Sequence, residues 1–165
     1  MKILVVWYSR TGHVKRMAGE ISTRLNSDTD SIIDNTNRKG MWGWFMAARD
    51  AIAGNPTDIT VGKKPDGYDM VVLGTPIWAG HVPPPIVAYI DRFHPRRYAL
   101  FSSCGGDPKI MLEEMTGLAG EPKAFLCLTQ SEQESSASLE KIYDFCRKIK
   151  RVNKKKEKND HMTSR

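Results

Sequence analysis

Residues 2–16 read KILVVWYSRTGHVKR, and this stretch changes abruptly from an apolar run to a turn rich in hydroxyls, glycine and cations. A short apolar run of this kind is typical of a strand that is buried on both faces of a parallel sheet. After the turn, apolar residues recur at the spacing of one helix face, namely Val14, Met17, Ala18, Ile21 and Leu25. The stretch therefore predicts a strand, a polar turn and an amphipathic helix.

The composition of the turn suits an anion. A helix that begins near Gly12 presents unpaired N–H groups and the positive end of its dipole. Ser9 and Thr11 add hydroxyl donors, and Gly12 lets the backbone approach an anion closely. The alternative is that Ser9 or Thr11 only caps the helix. Neither G-x-x-x-x-G-K-[ST] nor G-x-G-x-x-G is present, so a monophosphate is the anion that fits best.

The rest of the chain alternates between the two kinds of element. Further strands are predicted at residues 31–34, 68–74, 97–103 and 123–128. Further helices are predicted at residues 41–53, after the prolines of 83–85, at 109–116 where Gly117 is the expected stop, and at 139–149. This alternation predicts an α/β fold with one parallel sheet that is covered on both faces.

Ligands of such sheets bind beyond the carboxyl ends of the strands, where the strand order reverses. This rule selects the loops at residues 9–14, 75–85 and 102–107, which are also the chemically richest parts of the chain. None of them contains G-x-S-x-G, so a serine nucleophile is not indicated and no catalytic side chain is assigned.

The net charge of +6 is concentrated at one end of the chain. Residues 147–165 hold nine Lys and Arg against two acidic residues, whereas the other 146 residues hold 16 basic and 17 acidic groups. The body is therefore nearly neutral, and no nucleic-acid partner is expected. The basic tail is expected either to stay solvated or to contact an acidic partner or an anionic surface.

The cysteines and histidines do not indicate a metal site or a disulfide framework. Cys104, Cys127 and Cys146 are odd in number and widely spaced, which predicts reduced thiols, and the histidines have no ligand spacing. No apolar run approaches the roughly 20 residues of a membrane helix, and the first residues lack a signal-peptide pattern. We therefore expect one cytoplasmic domain.

The first polar loop, SRTGHV at residues 9–14, resembles the phosphate-binding loop of flavodoxins, usually written [ST]-x-T-G-x-[ST]. The stretches GTPIWAG at 74–80 and SSCGG at 102–106 are similar to the loops after the third and fourth strands of that family. The resemblance covers residues 1–150 and leaves 151–165 as a basic, flexible tail. It implies a three-layer, doubly wound sheet of five parallel strands in the order 2-1-3-4-5.

The resemblance also implies that FMN is the cofactor and that three loops hold it. The implied cofactor-binding residues are Ser9, Arg10, Thr11, Gly12, His13 and Val14 around the phosphate, with Thr75, Pro76, Ile77, Trp78, Ala79, Gly80, Ser103, Cys104, Gly105 and Gly106 around the ring. Trp78 would stack on the ring, although a core tryptophan is the alternative. The Ala79-Gly80 peptide would hydrogen-bond the flavin N5 position.

Two positions depart from the family pattern. Val14 stands where a second hydroxyl is usual, and the loss of one charge-assisted hydrogen bond weakens phosphate binding by about 1.5–3 kcal/mol where backbone N–H groups do not compensate. The loop at residues 102–106 has no tyrosine, so small residues leave the outer face of the ring open.

The resemblance is compatible with three functions. The first is an electron carrier between redox partner proteins. The second is an FMN-dependent oxidoreductase that uses NAD(P)H and a quinone or another small acceptor at the open face. The third is a protein that binds no flavin and works through protein contacts. The carrier is the interpretation we favour, because no nicotinamide motif or additional domain is recognisable.

Overall fold

The computed structural model describes residues 1–36 and 57–163, with side chains to residue 152. The strands are β1 (Ile3–Trp7), β2 (Asp28–Ser31), β3 (Ile33–Asp34), β4 (Ile59–Thr60), β5 (Met70–Pro76), β6 (Tyr98–Cys104) and β7 (Phe125–Thr129). The helices are α1 (His13–Leu25), α2 (Pro84–Phe93), α3 (Lys109–Ala119), α4 (Gln130–Glu134) and α5 (Ala137–Thr163). A 3₁₀ turn spans Pro65–Gly67.

Five of the strands form one parallel sheet, in the order β2-β1-β5-β6-β7. The short strands β3 and β4 form a separate antiparallel pair. β2 and β5 lie on opposite sides of β1, so the chain crosses from one side of β1 to the other between these two strands. The strand order therefore reverses at β1. The predicted α/β fold with a five-stranded parallel sheet is confirmed.

Helices cover both faces of this sheet and produce three layers. On one face, α1 and α5 pack over a core that includes Val5, Met17, Ile21, Phe101 and Phe145. On the other face, α2 and α3 pack over a core that includes Leu4, Leu73, Ile86, Tyr89 and Met111. The described residues contain no helix that is both long and apolar enough to span a bilayer.

The opening stretch folds as its pattern predicts. Leu4, Val5 and Val6 of β1 are completely buried, because helices cover both faces of the strand. The predicted stripe of α1 is also buried, from Val14 to Leu25. This burial of apolar surface is the main favourable contribution to the stability of the β1-α1 unit.

The second strand was predicted in the wrong place. The strand beside β1 is β2, at Asp28–Ser31, which overlaps the predicted span of 31–34 only at Ser31 and pairs from Leu4 opposite Asp28 to Trp7 opposite Ser31. Ile33 and Asp34 belong to β3 of the antiparallel pair. The side chains of β2 are exposed or half-buried because β2 is an edge strand. Its pairing therefore comes from the backbone and leaves no apolar pattern in the sequence.

Several boundaries also differ from the predicted ones. Gly117 does not stop α3, which continues to Ala119 and ends at Gly120, where φ is 75°. The later strands of the main sheet begin one or two residues after the predicted positions. The final helix, α5, extends beyond the predicted span of 139–149 to Thr163. That residues 151–165 form a flexible tail stays a prediction, and the predicted helix at 41–53 lies outside the described residues.

A close contact between neighbouring strands constrains the centre of the sheet. Gly74 of β5 is paired with Phe101 of β6, whose ring is fully buried. A Cβ added to Gly74 would overlap this ring, at 2.7 Å from Cε2. Any larger residue at position 74 therefore has to displace Phe101, which close packing opposes.

We expect Gly74→Ala to lower the free energy of unfolding by about 1–3 kcal/mol, because the added methyl group overpacks the core. Gly19→Ala in α1 is the matched control, since a Cβ there meets nothing within 4 Å. The control should raise stability by about 0.5–1 kcal/mol through helix propensity. Urea unfolding measures both values, and equal stability of the two variants would contradict the role of this contact.

Candidate functional site

Three predicted loops meet at the carboxyl edge of the sheet, around a cavity of about 670 Å³. Eleven of the 16 predicted site residues line it, namely Ser9, Arg10, Thr11, His13, Val14, Pro76, Ile77, Trp78, Ser103, Cys104 and Gly105. The parallel register explains this meeting, because the carboxyl ends of β1, β5 and β6 lie side by side.

The other five predicted residues do not line this cavity. Thr75 is fully buried in β5, and its hydroxyl donates to the carbonyl of Pro76 at 2.8 Å. Gly12 lines a neighbouring cavity of about 800 Å³, which shares Ser9 and Arg10 with the first. Ala79, Gly80 and Gly106 belong to the adjoining turns but are not among the residues that form the wall.

The start of α1 has the form of an open anion site. Gly12 has φ 93° and precedes the helix, and no side chain caps the first turn. The Ser9 hydroxyl accepts the N–H of Gly12 at 3.1 Å, which folds the loop back on itself. The first helical N–H groups, from His13 onward, have no partner within the helix. Among the described residues no side chain caps these donors, and they lie at the positive end of the helix dipole.

A tight turn presents Trp78 to the same cavity. The backbones of Trp78 and His81 exchange two hydrogen bonds, at 2.9 and 3.1 Å, around Ala79 and Gly80. Both central residues have positive φ, at 50° and 91°, which is the geometry of a type I′ turn. The half-buried indole also packs edge-on against Tyr8, with ring centroids 5.6 Å apart. These contacts fix the orientation of the Trp78 ring.

Glu114 of α3 holds this turn from the opposite side, a role that the sequence does not indicate. One carboxylate oxygen lies 2.5 Å from Nδ1 of His81, and the other accepts the N–H of Val82 at 2.9 Å. Both side chains are partly buried. A single carboxylate therefore connects the Trp78 turn to the helix that follows the third loop.

Residues at the end of β7 and directly after it complete the wall and were also missed by the sequence analysis. Thr129, Gln130 and Ser131 line the cavity, and Gln133 donates to the hydroxyl of Ser103 at 2.8 Å. A capping box of Thr129 with Glu132 starts α4. The only signal in the sequence was the spacing T-x-x-E, which is a common helix start.

The capping carboxylate of Glu132 is strongly favoured in its charged form. A hydrogen bond from Lys141 and further ones from the backbone and hydroxyl of Thr129 lower the pKa of Glu132 to about 2. The pKa of a free glutamate is 4.5. The contribution of this carboxylate to folding stability is therefore complete above pH 4.5 and disappears as the pH falls towards 2. The capping box therefore persists throughout the neutral range.

The structure brings two of the three predicted thiols together. Cys104 and Cys127 lie side by side, with their Cα atoms 6.5 Å apart, a spacing that a disulfide can bridge. That the thiols are reduced stays a prediction. The pairing of Ser102 with Cys127 in adjacent strands places the two cysteines on the same face. A separation of 23 residues conceals this proximity in the sequence. Cys146 is free and buried, and burial raises the pKa of its thiol to about 11.

The charge of the cavity wall also favours an anion. Arg10 and His13 line the cavity, and no Asp or Glu is among its described lining residues. The part of the chain that the structure describes contains no group of three or more potential metal ligands. The wall thus combines backbone donors, hydroxyls, the Arg10 guanidinium, the His13 imidazole and one aromatic ring.

Solved structures share this fold. A flavoprotein in complex with FMN from Lactobacillus acidophilus is 23% identical, with a TM-score of 0.67 over 76% of this chain and 92% of that chain. A flavodoxin, WrbA-like protein from Agrobacterium tumefaciens is 14% identical, with a TM-score of 0.60 over 93% and 98%. Oxidised flavodoxin 2 from Bacillus cereus is 18% identical, with a TM-score of 0.55 over 92% and 99%. Neither a protein-family model nor a curated protein sequence matches the chain.

The role of Glu114 can be tested separately from any ligand. Glu114→Ala leaves the buried N–H of Val82 without its acceptor, so we expect the unfolding free energy to fall by about 1–2 kcal/mol. The amide of Val82 should also exchange with solvent faster. Glu113→Ala is the control, because Glu113 is exposed and should change stability by no more than about 0.5 kcal/mol. Unchanged exchange at Val82 would contradict the assignment.

Proposed function

We propose that this chain binds FMN and acts as a flavodoxin-like electron carrier between redox partner proteins. The observation that carries the proposal is the uncapped start of α1 at Gly12, which lies beside the hydroxyls of Ser9 and Thr11. Both hydroxyl residues line the same cavity as Trp78. A phosphate site and an aromatic surface are thus within the reach of one ligand.

Two further observations support this proposal. Counting only the strands of the main sheet, β2-β1-β5-β6-β7 corresponds to the order 2-1-3-4-5 of the flavodoxin fold. The Lactobacillus acidophilus flavoprotein, which shares the fold, was solved in complex with FMN. The candidate cavity lies at the edge of the sheet where ligands of doubly wound folds bind.

The residues of the chain have distinct roles in this proposal. Ser9, Thr11 and the N–H groups at the start of α1 bind the phosphate, with the backbones of Arg10 and Val14 beside it. Trp78 and the loop of Cys104 contain the flat ring and exclude water from one of its faces. FMN, when bound, supplies the electron-transfer chemistry, whereas the protein binds, orients and shields it.

An FMN-dependent oxidoreductase is the second candidate. The wall of the cavity near the third loop consists of small residues, Ser103 and Gly105, with no tyrosine or tryptophan in that loop. A small donor or acceptor such as NAD(P)H or a quinone therefore has room beside the ring. The cationic side chain of Arg10 favours an anionic substrate in the cavity and is unlike the acidic surface that many carriers use for docking.

The first experiment tests FMN binding and its proposed cradle. The purified protein should quench the fluorescence of added FMN and retain it through gel filtration. Thr11→Ala should weaken binding by about 1.5–3 kcal/mol, because one hydrogen bond to a doubly charged group is lost. Thr11→Ser should restore most of the affinity, since the hydroxyl remains.

The matched control for this substitution is Thr23→Ala, at the far end of the same helix, where the hydroxyl bonds to the carbonyl of Gly19. It should leave FMN affinity unchanged. A wild-type protein that retains no FMN would remove both redox functions and leave a protein that works through contacts. Wild-type binding that Thr11→Ala does not alter would overturn only the cradle.

Anaerobic reduction of the FMN-loaded protein distinguishes the two redox functions. For the carrier, stepwise titration with dithionite should resolve two separate one-electron reductions in the visible spectrum, and NAD(P)H should not bleach the flavin. For the oxidoreductase, either nicotinamide should bleach it rapidly in a two-electron reduction. Fast bleaching by NADH or NADPH would therefore overturn the carrier proposal.

A further inference from the structure

A basic cleft lies at the opposite end of α1 from the candidate flavin site. It has a volume of about 480 Å³ and is formed by Arg24 of α1 and one stripe of α5: Tyr143, Cys146, Arg147, Lys150 and Arg151. Since α1 has 13 residues, the two ends of the helix are about 20 Å apart. The cleft is thus separate from the cavity that Ser9 and Trp78 line.

Few carboxylates neutralise the four cations of this basic cleft. Asp144 pairs with Arg147 at 2.8 Å, but among the described residues no carboxylate forms an ion pair with Arg24, Lys150 or Arg151. Lys150 is held in place because its ammonium group donates to the carbonyl of Arg24 at 2.8 Å. Like charges that share one concave wall repel each other, and a bound anion would relieve that repulsion.

One donor in the basic cleft is buried without an acceptor. The Nε atom of Arg24 is shielded from solvent and makes no hydrogen bond within the described structure. A buried polar atom without a partner is costly, so it needs a structural or functional explanation. A rotation of the Arg24 side chain would turn this donor towards the cleft, where a bound anion would accept its hydrogen bond.

The dimensions and the wall of the basic cleft suit a small molecule. Its volume lies within the range of about 300–1,000 Å³ that ligand pockets occupy. A guanidinium group can bind two phosphate oxygens at once through a pair of hydrogen bonds. The guanidinium-bearing residues Arg24 of α1 and Arg151 of α5 both line the cleft. The ring of Tyr143 is 56% exposed and adds an aromatic surface at the rim.

We propose that the basic cleft binds the phosphate group of a small phosphorylated molecule, through Arg24, Lys150 and Arg151. The organic part of the ligand lies against Tyr143. This site is independent of flavin binding, because it uses the C-terminal end of α1 and the outer surface of α5. The chain therefore has two anion sites, one near each end of α1.

Pyrophosphate is the probe that tests this proposal on the full chain at low ionic strength. We expect a saturable titration in residue-resolved NMR, with shifts at residue 24 and at residues 143–151. Binding at the other end of α1 would shift residues 9–14 and is therefore seen separately. Arg24→Gln and Arg151→Gln should each weaken binding at the basic cleft by about tenfold or more, because each removes a charged donor.

Lys148→Gln is the matched control, since it removes the same charge from an exposed position of α5 outside the cleft. It should change the affinity less than twofold. An equal loss in this control would show that overall charge alone attracts the probe, and it would overturn the proposal. Within the part of the chain that the structure describes, the Arg151 side chain makes no hydrogen bond that its replacement would break, so the test remains decisive if Arg24→Gln does not fold.

Vesicles distinguish a free phosphorylated ligand from a lipid headgroup. Phosphatidylcholine vesicles with and without phosphatidic acid should compete with pyrophosphate only weakly, because the cleft is concave. Strong binding to the acidic vesicles without saturable pyrophosphate binding would overturn the proposal in favour of a membrane surface. The absence of any titration at residues 24 and 143–151 would overturn it outright.

Discussion

The parallel hydrogen bonding of β1, β5, β6 and β7 determines where every loop of the candidate site lies. The pairing continues beyond the strands, since the N–H of Tyr8 donates to the carbonyl of Gly74 at 3.0 Å and the N–H of Ile77 donates to that of Ser103 at 3.3 Å. Trp78 is the next residue after Ile77, so the second of these bonds lies directly before the turn that carries the indole. The loops thus leave the sheet from fixed positions, and a ligand between them meets a largely preformed cavity.

Helix α1 connects the two chemically distinct ends of the molecule. Its buried stripe packs on β1 and α5, so the positions of both helix ends are set by the core. At the N-terminal end, Gly12 leaves the helical N–H groups open. At the C-terminal end, Lys150 donates to the carbonyl of Arg24, where a cation complements the negative end of the dipole.

The same packing restricts the turn that carries Trp78. The turn needs positive φ at Ala79 and Gly80, and Glu114 holds its far side through His81 and Val82. Alanine with positive φ is unfavourable, so the surrounding contacts have to maintain it. The position of the indole that a ligand would contact therefore depends on the position of α3.

The sequence predicted the parts of the fold in which burial leaves a periodic pattern. In β1 and α1 almost every apolar residue faces the core, so their spacing identified both elements. In β2 the side chains are exposed at the edge of the sheet, and backbone bonds alone place the strand. Eleven residues of the cavity wall were implied by the resemblance of three loops, at the ends of apolar strands, to those of flavodoxins, whereas Gln133 and Glu114 lie in helices with no such marker.

By itself, the sequence determined the strand and helix alternation and the hydroxyl-glycine loop at the start of α1, since both depend on local spacing. Only the tertiary structure decided which distant side chains meet. His81 and Glu114 are 33 residues apart, Cys104 and Cys127 are 23 apart, and Lys150 is 126 residues from Arg24. Strand register and helix packing create these contacts, and neither is encoded in the spacing of any short segment.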